Sequence, residues 1–193
     1  METDVVRYIA LCGYPKAGKT EVQKIISRRY GFTAYDDSRP LRDATKALYG
    51  LTEWHVSTQE GKSTVLDIAG MSITVRKAMG DLGCYLEAHD EFHFPRLAVK
   101  TCESHYAEGR FVFASVRQNQ PAFFKELGQS IVIEVTREGC AASDDFDEYL
   151  RSPIDYSIEN HRDESDPEGS LLNLEARVAE ILDPVFMPAL QTA

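Results

Sequence analysis

The stretch Gly13-Tyr14-Pro15-Lys16-Ala17-Gly18-Lys19-Thr20 constrains this chain more than any other. Its spacing is G-x-x-x-x-G-K-[ST], and every fixed position has a mechanical reason. Gly13 and Gly18 let the backbone wrap closely round a phosphate, and the amides of Lys16, Ala17 and Gly18 can then point at the anion. The helix that follows adds its unpaired N–H groups and the positive end of its dipole. Lys19 reaches the β- and γ-phosphates of a nucleoside triphosphate, and the Thr20 hydroxyl is placed to ligate Mg2+. Lys16 either adds charge at the phosphates or is solvated. Such a loop needs a buried strand before it and an amphipathic helix after it. Residues 5–12 supply the strand, as a short apolar and partly β-branched run. Val22, Ile25, Ile26 and Tyr30 supply the helix, at helical spacing, with Gly31 as its stop. The ligands implied are ATP and Mg2+.

The rest of the chain continues this alternation. Residues 32–35 read as a second strand, and Leu41, Ala44, Ala47 and Leu48 as one face of a helix from Pro40 to near Gly50. Residues 51–71 show little periodicity and are expected to form a loop with short helices. A helix is expected to open at residues 72–76, with Val75, Met79 and Leu82 or Leu86 on one face, and another to span residues 93–106. Residues 111–116 and 131–135 read as buried strands, with a short helix at 121–127 between them. An acidic, irregular segment at 138–153 leads to a short strand at 156–158. In the closing helix, over residues 171–182, Leu171, Leu174, Val178, Ile181 and Leu182 share a face. Strands alternating with helices imply a parallel sheet, here of about five strands, covered on both faces. There is no internal repeat and no linker, so residues 1–193 read as one α/β domain.

Composition narrows the partners. The net charge is −10, from 31 acidic and 21 basic residues, which argues against nonspecific binding to a nucleic-acid duplex. Part of that excess is local, at residues 144–148 and 159–168, so a basic phosphate site elsewhere is compatible with it. No apolar run approaches the ~20 residues that cross a bilayer. The first residues lack the basic start of a signal peptide, so no membrane partner and a cytoplasmic location are expected, host cytoplasm if the chain is virus-encoded. Cys12, Cys84, Cys102 and Cys140 lack metal-site spacing and read as small buried thiols. Oligomeric state is open, a homodimer included.

A second cluster lies at the end of the second strand: Asp36 and Asp37, followed by Arg39 and Arg42. Ligands of open α/β sheets bind beyond the carboxyl ends of the strands, so this cluster should face the phosphate loop. A carboxylate there can hold a metal-bound water or accept a proton, and guanidinium groups can grip an acceptor phosphate in bidentate fashion. No N-K-x-D guanine motif is present. Where an ATPase would carry an acid after its third apolar strand, this chain has Ser115, followed by Val116-Arg117.

With these residues the chain resembles the phage-type deoxynucleoside monophosphate kinases. The resemblance runs through Gly31-Phe32 to Asp36 and Pro40-Leu41-Arg42, then Val75-Arg76-Lys77-Ala78-Met79-Gly80-Asp81-Leu82-Gly83. It continues through Ser115-Val116-Arg117-Gln118-Asn119, Val135-Thr136-Arg137-Glu138-Gly139 and Ile158-Glu159-Asn160. The resemblance implies a P-loop kinase-like three-layer sandwich, with an acceptor-binding helical insertion at about 51–108 and a lid at about 138–155. It implies a deoxynucleoside diphosphate as product, made from the monophosphate and ATP. Arg39, Arg42, Arg76 and Arg117 would surround the acceptor, Arg137 would lie near the donor nucleotide, and Lys19, Asp36, Asp37 and Arg117 would carry the chemistry. The chain departs from the family at Ser115, where an aspartate is usual, at Gln118-Asn119-Gln120-Pro121, and in a lid that is acidic and holds only Arg151. Two other readings follow from the same residues. One is a phage kinase that phosphorylates a hydroxymethylated pyrimidine base (5-hydroxymethyluracil) within DNA, where an attacking hydroxyl makes Asp36 or Asp37 essential as a base. The other is a nucleotide-binding module without turnover.

Overall fold

The computed structural model describes residues 5–68, 70–142, 147–151 and 153–187. Strand β1 (Tyr8–Cys12) has all five side chains buried, because it lies at the centre of a sheet and is covered on both faces. It pairs in parallel with β5 (Phe111–Val116) on one side and β6 (Ser130–Thr136) on the other. Strand β2 (Thr33–Tyr35) adds to β5 and β7 (Tyr156–Glu159) to β6, so the order is β2-β5-β1-β6-β7 and every pairing is parallel.

The period of two along β1 divides the core. Ile9 and Leu11 join Val22, Ile25 and Ile26 of α1 (Lys19–Tyr30) and Leu174, Val178 and Leu182 of α8 (Pro167–Phe186). Tyr8, Ala10 and Cys12 point the other way, into a cluster with Ala98, Val99 and Cys102 of α6 (His93–His105) and Phe123 and Phe124 of α7 (Gln120–Leu127). The result is the expected three layers, an α/β sandwich around a five-stranded parallel sheet. Two expectations for α8 shift. The helix starts at Pro167, with Asp166 accepting a hydrogen bond from the Gly169 amide, and Leu171 in its early turns is 39% exposed instead of sharing the buried face.

The larger difference lies between α2 (Arg39–Tyr49) and α5 (Val75–Glu87). Two short helices, α3 (Glu53–Ser57) and α4 (Gln59–Lys62), precede an antiparallel hairpin of β3 (Val65–Ile68) and β4 (Met71–Thr74). A helix was expected to open at residue 72, but Ser72, Ile73 and Thr74 are paired to β3. Thr74 then caps α5 by accepting from the Lys77 amide, so β-branched residues finish a strand and the helix begins at Val75. This stretch is anchored by Val56, Val75 and Met79, and beside it Leu41 packs against Phe94. The lid expected over 138–155 includes residues 143–146 and 152, which lie outside the described residues. Residues 147–151 are tied to the end of β5 through paired backbone bonds from Gln118 to Glu148 and from Leu150 to Gln118. Among the described residues, no helix is long and apolar enough to cross a membrane.

Because all the strands run the same way, their carboxyl ends share one edge. Gly13, Asp37, Arg117, Arg137 and Asn160 follow β1, β2, β5, β6 and β7 respectively, at that edge.

Candidate functional site

The turn out of β1 requires glycine twice. Gly13 has φ +139°, and a Cβ there would lie 2.1 Å from the Val135 carbonyl oxygen. Gly18 has φ +107°, and its Cβ would lie 2.3 Å from the Asn160 amide nitrogen. Asn160 is buried at the end of β7 and donates to the Ala17 carbonyl at 2.8 Å, fixing the loop from below. Lys19 folds back across the loop and donates to the carbonyls of Gly13 (2.5 Å) and Tyr14 (2.9 Å). Burial pulls its ammonium down to about 8, nearby Arg117 pushes the same way, and Asp147 and Asp37 oppose the shift. Lys16, at φ +68°, and Thr20, in the first turn of α1, are exposed. Asn160→Ala should therefore cost about 1–2 kcal/mol of stability and weaken nucleotide binding about tenfold. Urea unfolding and titration with a fluorescent ATP analogue measure both, and wild-type values in both would contradict the latch.

Asp36 and Asp37 are adjacent in sequence but part ways. Asp37 is 5% exposed, and its Oδ2 accepts from the Ser115 backbone amide at 3.2 Å. Its Oδ1 is buried without a hydrogen-bond partner among the described residues. Burial pushes its carboxyl up to about 6, against the pull of backbone hydrogen bonds and Arg117. Asp36 instead accepts from Ser38 and from Arg42 at the surface. Of the arginines, Arg39 is exposed and 3.6 Å from Asp43, and Arg42 is held by Asp36; neither lines the cavity beside Asp37. Arg76 and Arg117 do line it. Arg76 donates to Gln59 at 2.6 Å and Arg117 to Asp147 at 2.8 Å. Arg137 lies apart, 3.4 Å from Glu164, in an open cleft with Gly139, Asn160, His161 and Arg162.

Four further residues of this cavity region escaped the sequence patterns. Asp147, 4% exposed, comes from the acidic segment, where nothing in the sequence separates it from its acidic neighbours. Lys62 comes from α4, within the stretch that has no periodicity. Gln120 accepts from the Arg117 amide at 3.1 Å and donates to Glu87 at 2.5 Å, which fixes its amide orientation. Glu87 is buried, and burial pushes its carboxyl up to about 7. Leu41, Met79 and Phe94 give the same cavity an apolar wall.

The residues present fit a Mg2+ ion that takes most of its ligands from a nucleotide. Among the described residues, no three His, Cys, Asp or Glu side chains gather as a metal cage. What the site offers is an exposed Thr20 hydroxyl and the unpartnered Oδ1 of Asp37, and Mg2+ commonly binds through one or two protein groups plus phosphates and water.

No protein-family model matches the chain, and no curated protein matches it. Among solved structures it is similar to a sugar kinase from Janibacter sp. HTCC2649, at 11% identity and TM-score 0.45, covering 97% of this chain and 99% of that one. It is also similar to a dephospho-CoA kinase from Campylobacter jejuni, at 10% identity and TM-score 0.46, covering 90% and 98%. A shikimate kinase from Aquifex aeolicus gives 16% identity and TM-score 0.36, covering 88% and 96%. At these identities and TM-scores, the substrates in those names belong to those proteins.

Proposed function

We propose that this chain is a kinase that transfers the γ-phosphoryl group of ATP to a deoxynucleoside monophosphate, giving the diphosphate. The observation that carries the reading is the cavity at the strand ends, where Asp37, Arg76 and Arg117 converge close to Lys19 of the phosphate loop. A donor phosphate chain on the loop and an acceptor in the cavity would meet there.

In this reading the amides of Gly13, Lys16, Ala17 and Gly18 hold the donor phosphates, and Arg137 borders the cleft for the rest of the donor nucleotide. Lys19 releases its two loop carbonyls and turns its charge to the β- and γ-phosphates. Thr20 and Asp37 would hold Mg2+, which when bound neutralises charge on the phosphates. Arg76 and Arg117 orient the acceptor, and Leu41, Met79 and Phe94 cover its base. An acceptor oxygen attacks the γ-phosphorus in line as the bond to the β–γ bridging oxygen breaks, and Lys19 and Arg117 stabilise the charge that develops. Arg39, Arg42 and Asp36 take no part.

One observation favours a second acceptor. Asp37, with a carboxyl pushed up to about 6, suits a general base, and a hydroxyl needs one where a phosphate does not. A hydroxymethylated pyrimidine in DNA is such an acceptor. A labelled-phosphate screen separates the readings, offering ATP with each deoxynucleoside monophosphate and with single- and double-stranded DNA carrying ordinary or hydroxymethylated pyrimidines. Labelled deoxynucleoside diphosphate is the expected product. Labelled DNA without labelled diphosphate would overturn the first reading, and no transfer at all would leave a nucleotide-binding module.

A further inference from the structure

The cavity carries more positive charge than its own acids neutralise. Arg117 is paired with Asp147, but Arg76 donates to the neutral Gln59 amide and has no carboxylate within ion-pair distance among the described residues. Lys62 is half-buried, lines the cavity, and has no side-chain hydrogen bond or ion pair among the described residues. Its placement is built in. Gly61 packs its Cα against the α3 backbone so closely that a Cβ would lie 2.2 Å from the Trp54 carbonyl oxygen. That contact presses α4 onto α3 and leaves the next residue, Lys62, turned to the cavity.

We propose that Lys62, with Arg76, binds an anionic group on the acceptor, so that the cavity selects a phosphate monoester and rejects neutral alcohols such as free nucleosides and sugars. The inference rests on the kinase reading and names the residue that sets its acceptor class. Burial holds the Lys62 ammonium down at about 8, with Arg76, Arg117 and Arg42 adding repulsion and Asp147 opposing it. A bound phosphate would reverse both effects, by replacing lost solvation and neutralising the cluster. Lys62 thus resembles a half-made ion pair whose second member arrives with the substrate.

The test uses the full chain with its phosphate loop filled by a saturating non-hydrolysable ATP analogue and Mg2+, so that added phosphate cannot occupy Lys19. Calorimetric titration then compares 2-deoxyribose 5-phosphate with 2-deoxyribose. The wild type should bind the first and not the second, and at pH 9 binding should take up a proton. Lys62→Met should weaken that binding about tenfold or more and abolish the proton uptake, with affinity for the ATP analogue unchanged. Lys62→Gln serves as a second neutral variant, and melting curves for both confirm the fold. Wild-type affinity for the sugar phosphate in both variants, or no binding by the wild type, would overturn the inference. Because no turnover is measured, failure here is distinct from failure of the kinase reading, which shows as absence of labelled diphosphate from the wild type.

Discussion

Lys19→Met is expected to lower kcat/KM about a thousandfold while the protein stays folded. In the free protein this ammonium is spent on two loop carbonyls, and burial with nearby Arg117 holds it at about 8. In the proposed reaction its charge finds a strong partner only when a phosphate chain enters the loop. The sign of the stability effect follows. A lysine whose folded value lies below its unfolded 10.5 favours the neutral form in the fold, so stability rises as pH climbs from about 8 towards 10.5. At neutral pH the charged side chain is therefore a burden, and methionine, which keeps the stem, should leave the melting temperature level or higher. Steady-state kinetics and thermal melts read the two effects together. Activity within tenfold of wild type would remove Lys19 from the reaction.

Asp37→Asn should act with the same opposition between activity and stability. A carboxylate that holds a metal-bound water or accepts a proton contributes about 10²–10⁴-fold, so a loss near a thousandfold in kcat is expected. The folded carboxyl is raised to about 6 from an ordinary 3.8, so the protonated form is the one the fold favours. Its stability contribution is full below about 4 and is lost as pH rises through about 6. Asparagine keeps an acceptor for the Ser115 amide and never ionises. The variant should be more stable than wild type by about 3 kcal/mol at pH 8, with the difference vanishing near pH 4. Denaturant unfolding across that range tests the pattern, and wild-type activity with no pH-dependent gap would contradict the assignment. In the wild type, the kcat/KM profile should rise through pH 6 with Asp37 and fall above pH 8 as Lys19 and Lys62 lose charge.

The sheet and the strand–turn–helix at Gly13 to Thr20 were readable because their signals are local. Five buried residues in β1, a glycine at the turn and the helical spacing of Val22, Ile25, Ile26 and Tyr30 sit within one continuous stretch. The hairpin of β3 and β4 was not readable, since Leu66 and Ile73 face each other across strands with no alternating pattern long enough to register. Lys62 and Asp147 were hidden for another reason. Each is one charged residue among many, and only its position in the folded chain distinguishes it from a solvated neighbour. Asp36 and Asp37 look equivalent as letters, and the direction of the turn after β2 alone sends one to the surface and one to the cavity. A carboxylate does reach Ser115, from the neighbouring strand in the sheet, because β2 lies beside β5 and Asp37 accepts from the Ser115 amide.

The central strand has a consequence for how the molecule comes into being. β1 is near the start of the chain, yet its two partners begin at Phe111 and Ser130, and the asparagine that latches its loop is residue 160. Contacts of such long sequence separation form slowly and late. A ribosome that has delivered the whole glycine-rich motif has therefore delivered a peptide with no support beneath it, and the shape of that loop is among the last features the growing chain acquires.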